Sequence, residues 1–204
     1  MTAAIRPVIR AAVGSDRATA IDVLTTAFCD DPLSVWVVPD PDRRRRFHDG
    51  IFGAAFDDAL DGGAALVAEV EGAIAGVALW YPPGREPDPA GTNLDAARAV
   101  LAAPDLQRLM HMRELMGQSH PNEAHYYLWL AGVTPRHHNR GVGGALMADA
   151  LERCDRQGHG AYLEATSPSN RRLYRRWGFR DRDPIALPGR LGIFPMWRDP
   201  HQAG

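Results

Sequence analysis

Residues 130–147 read LAGVTPRHHNRGVGGALM, and residues 164–180 read EATSPSNRRLYRRWGFR. The first stretch closes a β run at Val133-Thr134-Pro135. It then passes through Arg136-His137-His138-Asn139-Arg140-Gly141-Val142-Gly143-Gly144 into a helix over Gly141–Arg156. In that helix Leu146, Met147, Ala150, Leu151 and Cys154 form one apolar stripe. Glycine-rich chain entering a helix leaves backbone N–H groups unpaired and aimed at one spot, and the helix dipole adds partial positive charge. Such a junction suits a pyrophosphate. Arg136 and Arg140 are placed to add charge-assisted contacts to phosphate oxygens.

Two better-known phosphate motifs do not fit. A P-loop needs Gly-Lys-Ser/Thr, and the chain has no lysine at all: its 23 basic residues are all arginine. A dinucleotide fold places GxGxxG after the first strand, whereas here the glycines lie late and Leu146 occupies the position three after Gly143.

The second stretch leaves a strand at Glu164 and opens a helix at Ser169. Asn170 and Tyr174 stand at i and i+4 and share one face, while Leu173 and Trp177 occupy the neighbouring face, turned inwards. A tyrosine hydroxyl beside a phosphate-binding junction is a candidate general acid. It suits a departing thiolate, because a thiol pKa of about 8.5 makes that proton transfer easy.

Working outward, Ile5–Val13 reads as a strand and Ser15–Cys29 as a helix stopped by Asp30-Asp31-Pro32. After the break at Pro39-Asp40-Pro41, Asp42–Asp58 is helical, with Arg43–Arg46 mostly a solvated face. Ala64–Val70 and Ala73–Tyr81 make a hairpin around Glu71-Gly72. Pro82–Pro121 is an excursion carrying helices at about Leu94–Ala102 and Asp105–Met116, the second with soft Met110, Met112 and Met116. Glu123–Val133 is a β run in which His125, Tyr127 and Trp129 share one face and Tyr126 lies opposite. Ala161–Thr166 and Ile193–Arg198 complete the strands. This order predicts an α/β fold with helices on a mixed sheet, and one domain over residues 1–204.

Composition narrows the functional classes. There are 25 acidic residues against the 23 arginines, a net charge of −2, which argues against a nucleic-acid binder. Cys29 and Cys154 are far apart, form no metal spacing and read as small helical hydrophobes, so no metal is expected. The N-terminus lacks a signal-peptide core, and no apolar run reaches the roughly 20 residues needed to cross a bilayer. A cytoplasmic protein without membrane partners, monomeric or homodimeric, is the expectation.

Together, the two motifs resemble those of GNAT-type N-acetyltransferases, the acetyl-coenzyme A-dependent superfamily. The family's Gln/Arg-x-x-Gly-x-Gly/Ala loop falls on His138-Asn139-Arg140-Gly141-Val142-Gly143, and its asparagine and tyrosine fall on Asn170 and Tyr174. Ala27-Phe28-Cys29-Asp30-Asp31-Pro32 and Trp36…Pro39-Asp40 are similar to the puromycin N-acetyltransferase-like branch. The resemblance implies a mostly antiparallel sheet whose central strands splay to bind acetyl-CoA. It further implies cofactor contacts from Val133, His138, Asn139, Arg140, Gly141, Val142, Gly143, Gly144 and Asn170, with the Val133 N–H donating to the thioester carbonyl. One departure is His138, where the family has Gln or Arg. Because backbone N–H groups dominate such a loop, coenzyme binding is expected to survive the change.

The implied reaction is direct attack of an amine on the thioester, with Tyr174 as general acid. For the base, Glu164 is the first candidate, with Glu123, His125, Asp30 and Asp31 as alternatives. Asp30 and Asp31 would attract a cationic amine, and Trp36, Trp80, Tyr81 or Tyr126 would line its pocket. A small-molecule amine is the preferred acceptor. The other readings are a protein N-terminus or lysine as acceptor, or a non-catalytic acyl-CoA-binding sensor module.

Overall fold

The hairpin at Glu71-Gly72 forms because both residues adopt positive φ, 53° and 79°, as a type I′ turn requires. It joins strands β2 (Ala65–Val70) and β3 (Ala73–Tyr81). The computed structural model describes residues 6–62, 64–85 and 92–201. Ile5 and the Pro87-Asp88-Pro89 loop therefore lie outside the described residues.

Strand β1 (Val8–Ala11) pairs antiparallel with β2. Helices α1 (Arg17–Phe28), α2 (Pro32–Val37) and α3 (Pro41–Asp61) precede the hairpin. Helices α4 (Thr92–Val100) and α5 (Ala103–Ser119) follow it. Then come β4 (His125–Val133), α6 (Val142–Gln157), β5 (Gly160–Ala165), α7 (Pro168–Arg175), β6 (Arg180–Asp181), β7 (Ile185–Leu187) and β8 (Leu191–Arg198). The sheet runs β1-β2-β3-β4-β5-β8-β6, with β7 on β8. Only β4 and β5 are parallel among the described pairs, the crossover between them being α6. The mixed, mostly antiparallel sheet flanked by helices is the expected architecture.

The β4–β5 ladder is short. It runs from His125 opposite Gly160 to Leu128 opposite Leu163 and stops there. Beyond it β4 stays with β3 as far as Val133, while Glu164 and Ala165 stay with β8. The two central strands therefore part at their C-terminal ends.

A bulge coincides with the parting. Leu79 faces Leu130 and Trp80 faces Leu128, so Trp129 is the extra residue. The bulge reverses the strand's alternation. Tyr126 and Leu128 pack towards α6, Trp129 and Leu130 both face the α1–α3 side, and Ala131 and Val133 return to the α6 side. At Gly132 the α1 helix comes so close that a Cβ would lie 2.9 Å from the Ala27 Cβ.

Three sequence expectations change. Asp31-Pro32 begins a helix as well as ending one: the Asp31 carboxylate accepts from the N–H groups of Leu33 and Ser34, with Pro32 at the first turn. Within the arginine run, Arg44 is buried and donates to the carbonyls of Cys29, Val38 and Pro39, tying down the loops around α2. Cys29 lies just beyond α1 and is exposed, whereas Cys154 is buried.

Candidate active site

The chain from Thr134 to Gly141 is shaped by its own polar groups. Thr134 N–H reaches back to the Ala75 carbonyl, a 3₁₀ turn spans Pro135–His137, and His138 Nε2 donates to the Val133 carbonyl at 2.9 Å. Asn139 and Gly141 take positive φ, 58° and 83°, which reverses the chain into α6. Gly141 is the N-cap and offers no side-chain acceptor, so the first-turn N–H groups of α6 have no side-chain cap. Arg136, Asn139 and Arg140 are exposed beside this open helix end. His138 thus ties the loop back to the end of β4 through the Val133 carbonyl.

Where β4 and β5 separate, a cavity of about 160 Å³ opens through the sheet. Glu164, Asn170, Tyr174, Asp31 and Thr166 line it on the β5 and α7 side. Its far wall is apolar, built by Phe28, Phe52, Ile51, Met112, Met116 and Trp129, with Ser34 and His48 as polar members. Tyr174 packs edge-on against Phe179 at 5.9 Å, and burial lifts its phenol to about 12, so it stays protonated. Ser167 caps α7 by accepting from the Asn170 N–H.

The Glu164 side chain is 4% exposed. Burial, followed by the charge of Glu164, pushes the phenols of Tyr127 and Tyr162 well above their ordinary range. The His120 Nδ1 lies 3.9 Å from Glu164 Oε1. His48 is 1% exposed, stacks on Phe52 at 4.7 Å and has one ring nitrogen 3.2 Å from the Ser34 hydroxyl. Burial, helped by the Arg44 charge, pulls it down to about 4, so it is neutral.

The structure brings Glu164, Asn170, Tyr174 and Asp31 to one crevice. It does not bring Tyr126 there. Strand alternation turns Tyr126 to the α6 side, where its hydroxyl donates to Gln157 at 2.9 Å, and Tyr127 and Trp129 line the crevice instead. Asp30 is exposed and Trp36 packs with the cluster around Ile185 and Leu187, so neither lines the cavity. Trp80 and Tyr81 are buried: Trp80 lies in the α6-side core, and Tyr81 donates to Asp58 at 2.6 Å. His125 is buried behind the crevice, its Nδ1 2.6 Å from the Glu123 carbonyl. Sequence reasoning missed His48, Ser34 and Phe52. The available signal was a helix face carrying Phe28 towards the same side as the α3 aromatics.

Among the described residues no group of three or more His, Cys, Asp or Glu is placed to hold a metal ion. No helix among them is long and apolar enough to cross a membrane.

A profile of the acetyltransferase (GNAT) family matches residues 24–179. Among solved structures the chain is similar to one described as histone acetyltransferase HPA2 and related acetyltransferase, from Corynebacterium glutamicum. The identity is 26%, with 97% of this chain and 98% of that one covered and a TM-score of 0.74. It is also similar to arylalkylamine N-acetyltransferase 2 from Aedes aegypti (14% identity, 97% and 99% covered, TM-score 0.68). A polyamine N-acetyltransferase from Drosophila melanogaster gives 18% identity, 95% and 100% coverage and a TM-score of 0.69. At these two lower identities the likeness is one of fold.

Proposed function

Because the chain belongs to the acetyltransferase (GNAT) family, we propose that it moves an acetyl group from acetyl-coenzyme A to the primary amine of a small, apolar, singly charged molecule. The observation that carries this reading is the crevice between the parted strands, where Glu164, Tyr174, Asn170 and Asp31 meet. The open helix end at Gly141, with Arg136 and Arg140 beside it, supports a pyrophosphate site there. The full contact set is Val133, His138, Asn139, Arg140, Gly141, Val142, Gly143, Gly144 and Asn170. The coenzyme supplies the acetyl thioester.

The chain's own groups divide the remaining work. Glu164 takes a proton from the ammonium and frees the nitrogen lone pair. Tyr174, kept protonated by burial, donates to the departing sulfur and is restored by the second proton that the nitrogen sheds as the amide forms. Asp31 adds negative charge to the crevice wall between Thr166 and Ser34.

The far wall supports the choice of acceptor. Its polar members are Ser34 and a neutral His48, so beyond Asp31, which caps α2 beside Ser34, a second cation would have no carboxylate to meet. A dicationic polyamine fits poorly, whereas an aryl or alkyl tail is well matched. An engineered apolar cavity of about 150 Å³ holds benzene, which sets the scale. Residues 92–119 pack onto the same wall through α4 and α5, which supports one domain across the chain. The Ala27–Pro32 and Trp36–Asp40 segments support placement in the puromycin N-acetyltransferase-like branch.

An amine panel read by mass spectrometry tests the proposal. It should contain phenethylamine, hexylamine, putrescine, agmatine and a lysine-bearing peptide. Acetylated monoamine products with little product from the diamines are expected. Acetylation of the peptide alone would overturn the acceptor class, and tight acetyl-coenzyme A binding without transfer would favour a sensor.

A further inference from the structure

Two polar side chains interrupt the apolar far wall of the crevice, and they come from different helices. Ser34 stands in the first turn of α2 and His48 in α3, and both line the crevice. The His48 Nε2 and the Ser34 Oγ are 3.2 Å apart, a hydrogen bond whose donor depends on the imidazole tautomer. Both partners are held in place. Phe52 stacks on the imidazole at 4.7 Å and Phe47 tilts against it at 5.8 Å. The Ser34 N–H donates to Asp31 Oδ2, and the Ser34 carbonyl accepts from Val38.

A serine beside a histidine can be a nucleophile with its base, but this pair lacks what that chemistry needs. The imidazole would have to be basic, with its second nitrogen held by a third group. The His48 Nδ1 is buried and has no hydrogen-bond partner among the described residues. Burial, with the Arg44 charge nearby, also draws the imidazole down to about 4, too weak a base for a serine hydroxyl. Recognition is the chemistry left to it. In one tautomer Nε2 accepts the Ser34 proton, which leaves the Oγ lone pairs open. In the other Nε2–H donates to Oγ, which leaves the Ser34 proton open. Either way Ser34 keeps a hydrogen-bonding position to spare. Ser34 is only half-buried and within reach of a ligand, whereas His48 lies behind it at 1% exposure.

We propose that Ser34 recognises a hydroxyl on the tail of the acceptor amine, with His48 fixing the Ser34 hydroxyl in place. The proposal rests on the acetyltransferase reading above and narrows its substrate class to amines whose apolar tail carries one neutral hydroxyl. A hydroxyl fits both tautomers of His48, because it donates as well as accepts, whereas an ether or a carbonyl only accepts. Phe28, Phe47 and Phe52 share the wall, and a hydroxyl laid against their rings would be buried without a partner. At Ser34 the same burial gains a hydrogen bond. A bare tail, conversely, displaces water from Ser34 and returns nothing, so the crevice discriminates against it. His48 touches no substrate and acts through Ser34.

The test measures kcat/KM for matched amines: phenethylamine with tyramine, and hexylamine with its ω-hydroxy analogue. Each ratio is taken within one enzyme sample, so the fraction of folded protein cancels. The wild type is expected to prefer the hydroxylated member of at least one pair by about tenfold. Ser34→Ala should bring that ratio close to one, and Ser34→Thr, which restores a hydroxyl, should recover part of it. His48→Phe removes the partner of Ser34 and should lower the ratio as well. A wild type that ignores the hydroxyl in both pairs would overturn the proposal, as would a preference that survives Ser34→Ala. An unchanged ratio in His48→Phe would overturn the positioning role of His48. A wild type inert towards every amine would overturn the acetyltransferase reading and the hydroxyl site with it, whereas an active wild type indifferent to the hydroxyl overturns the site alone.

Discussion

The Thr166 hydroxyl donates to Asp31 Oδ1 at 2.6 Å, while the other oxygen of the same carboxylate caps α2. One side chain thus fixes the N-terminus of α2 and joins it to the turn that leads into α7. Asp31→Ala removes both functions and is expected to cost about 1 kcal/mol of stability. Asp31→Asn keeps the cap, and its amide can donate to the Thr166 oxygen, so only the charge is lost. Its melting temperature should stay near wild type while the amine KM rises about tenfold. Thermal denaturation and steady-state kinetics on both variants check this, and an unchanged KM in Asp31→Asn would exclude Asp31 from cation recognition.

Tyr174 lies on the cavity wall with its phenol lifted to about 12 by burial. Tyr174→Phe keeps the edge contact with Phe179 and removes only the proton donor. The loss expected in kcat is roughly 10²- to 10⁴-fold, with coenzyme A affinity by calorimetry within threefold. In the wild type, the alkaline side of the rate profile should show no fall attributable to this phenol below about pH 11.

His48 is neutral in the fold, with its pKa brought down from 6.5 to about 4 by burial. The unfolded chain binds a proton at this position below pH 6.5 that the folded chain refuses until near pH 4. The associated stability is therefore complete above pH 6.5 and falls as the pH drops, by about 1.4 kcal/mol per unit. Urea titrations at pH 7, 6 and 5 should show the stability gap between wild type and His48→Phe narrowing by roughly 2 kcal/mol. A gap independent of pH would contradict the buried neutral state.

Gly132 permits the contact between β4 and α1. A Cβ there would meet the Ala27 Cβ at 2.9 Å and the Leu24 Cδ2 at 3.2 Å, and a helix cannot yield as a side-chain tip can. Gly132→Ala is expected to lose about 1–3 kcal/mol. Ala27→Gly in the same chain should recover part of it, a positive coupling measurable by a double-mutant cycle.

The glycine-rich entry to α6 and the Asn170/Tyr174 helix were legible because each rests on local rules, namely helix starts and i, i+4 spacing. The hairpin was legible through Glu71-Gly72. The bulge at Trp129 was not: one extra residue inside HYYLWLAGV leaves the apolar run unbroken, and only the register with β3 reveals it. The same blindness hid Arg44. A run of four arginines on a helix reads as solvated, but three carbonyls left over from the bends around α2 draw one of them inside. Strands β6 and β7 cover two and three residues, too few for any alternation to register. Tyr126 faces α6 and not the crevice, as the alternation that sets it opposite Tyr127 dictates.

The early end of the β4–β5 ladder gives the protein two sheet edges that face each other instead of the outside. An exposed edge is a template for other chains and a route to aggregation. These two rims are walled by α1, α3 and α7, so another polypeptide cannot reach them as it would an outer strand. Their free backbone groups can be held in reserve for a small guest without inviting edge-to-edge association. The interruption in the sheet therefore separates stickiness towards a ligand from stickiness towards another copy of the chain.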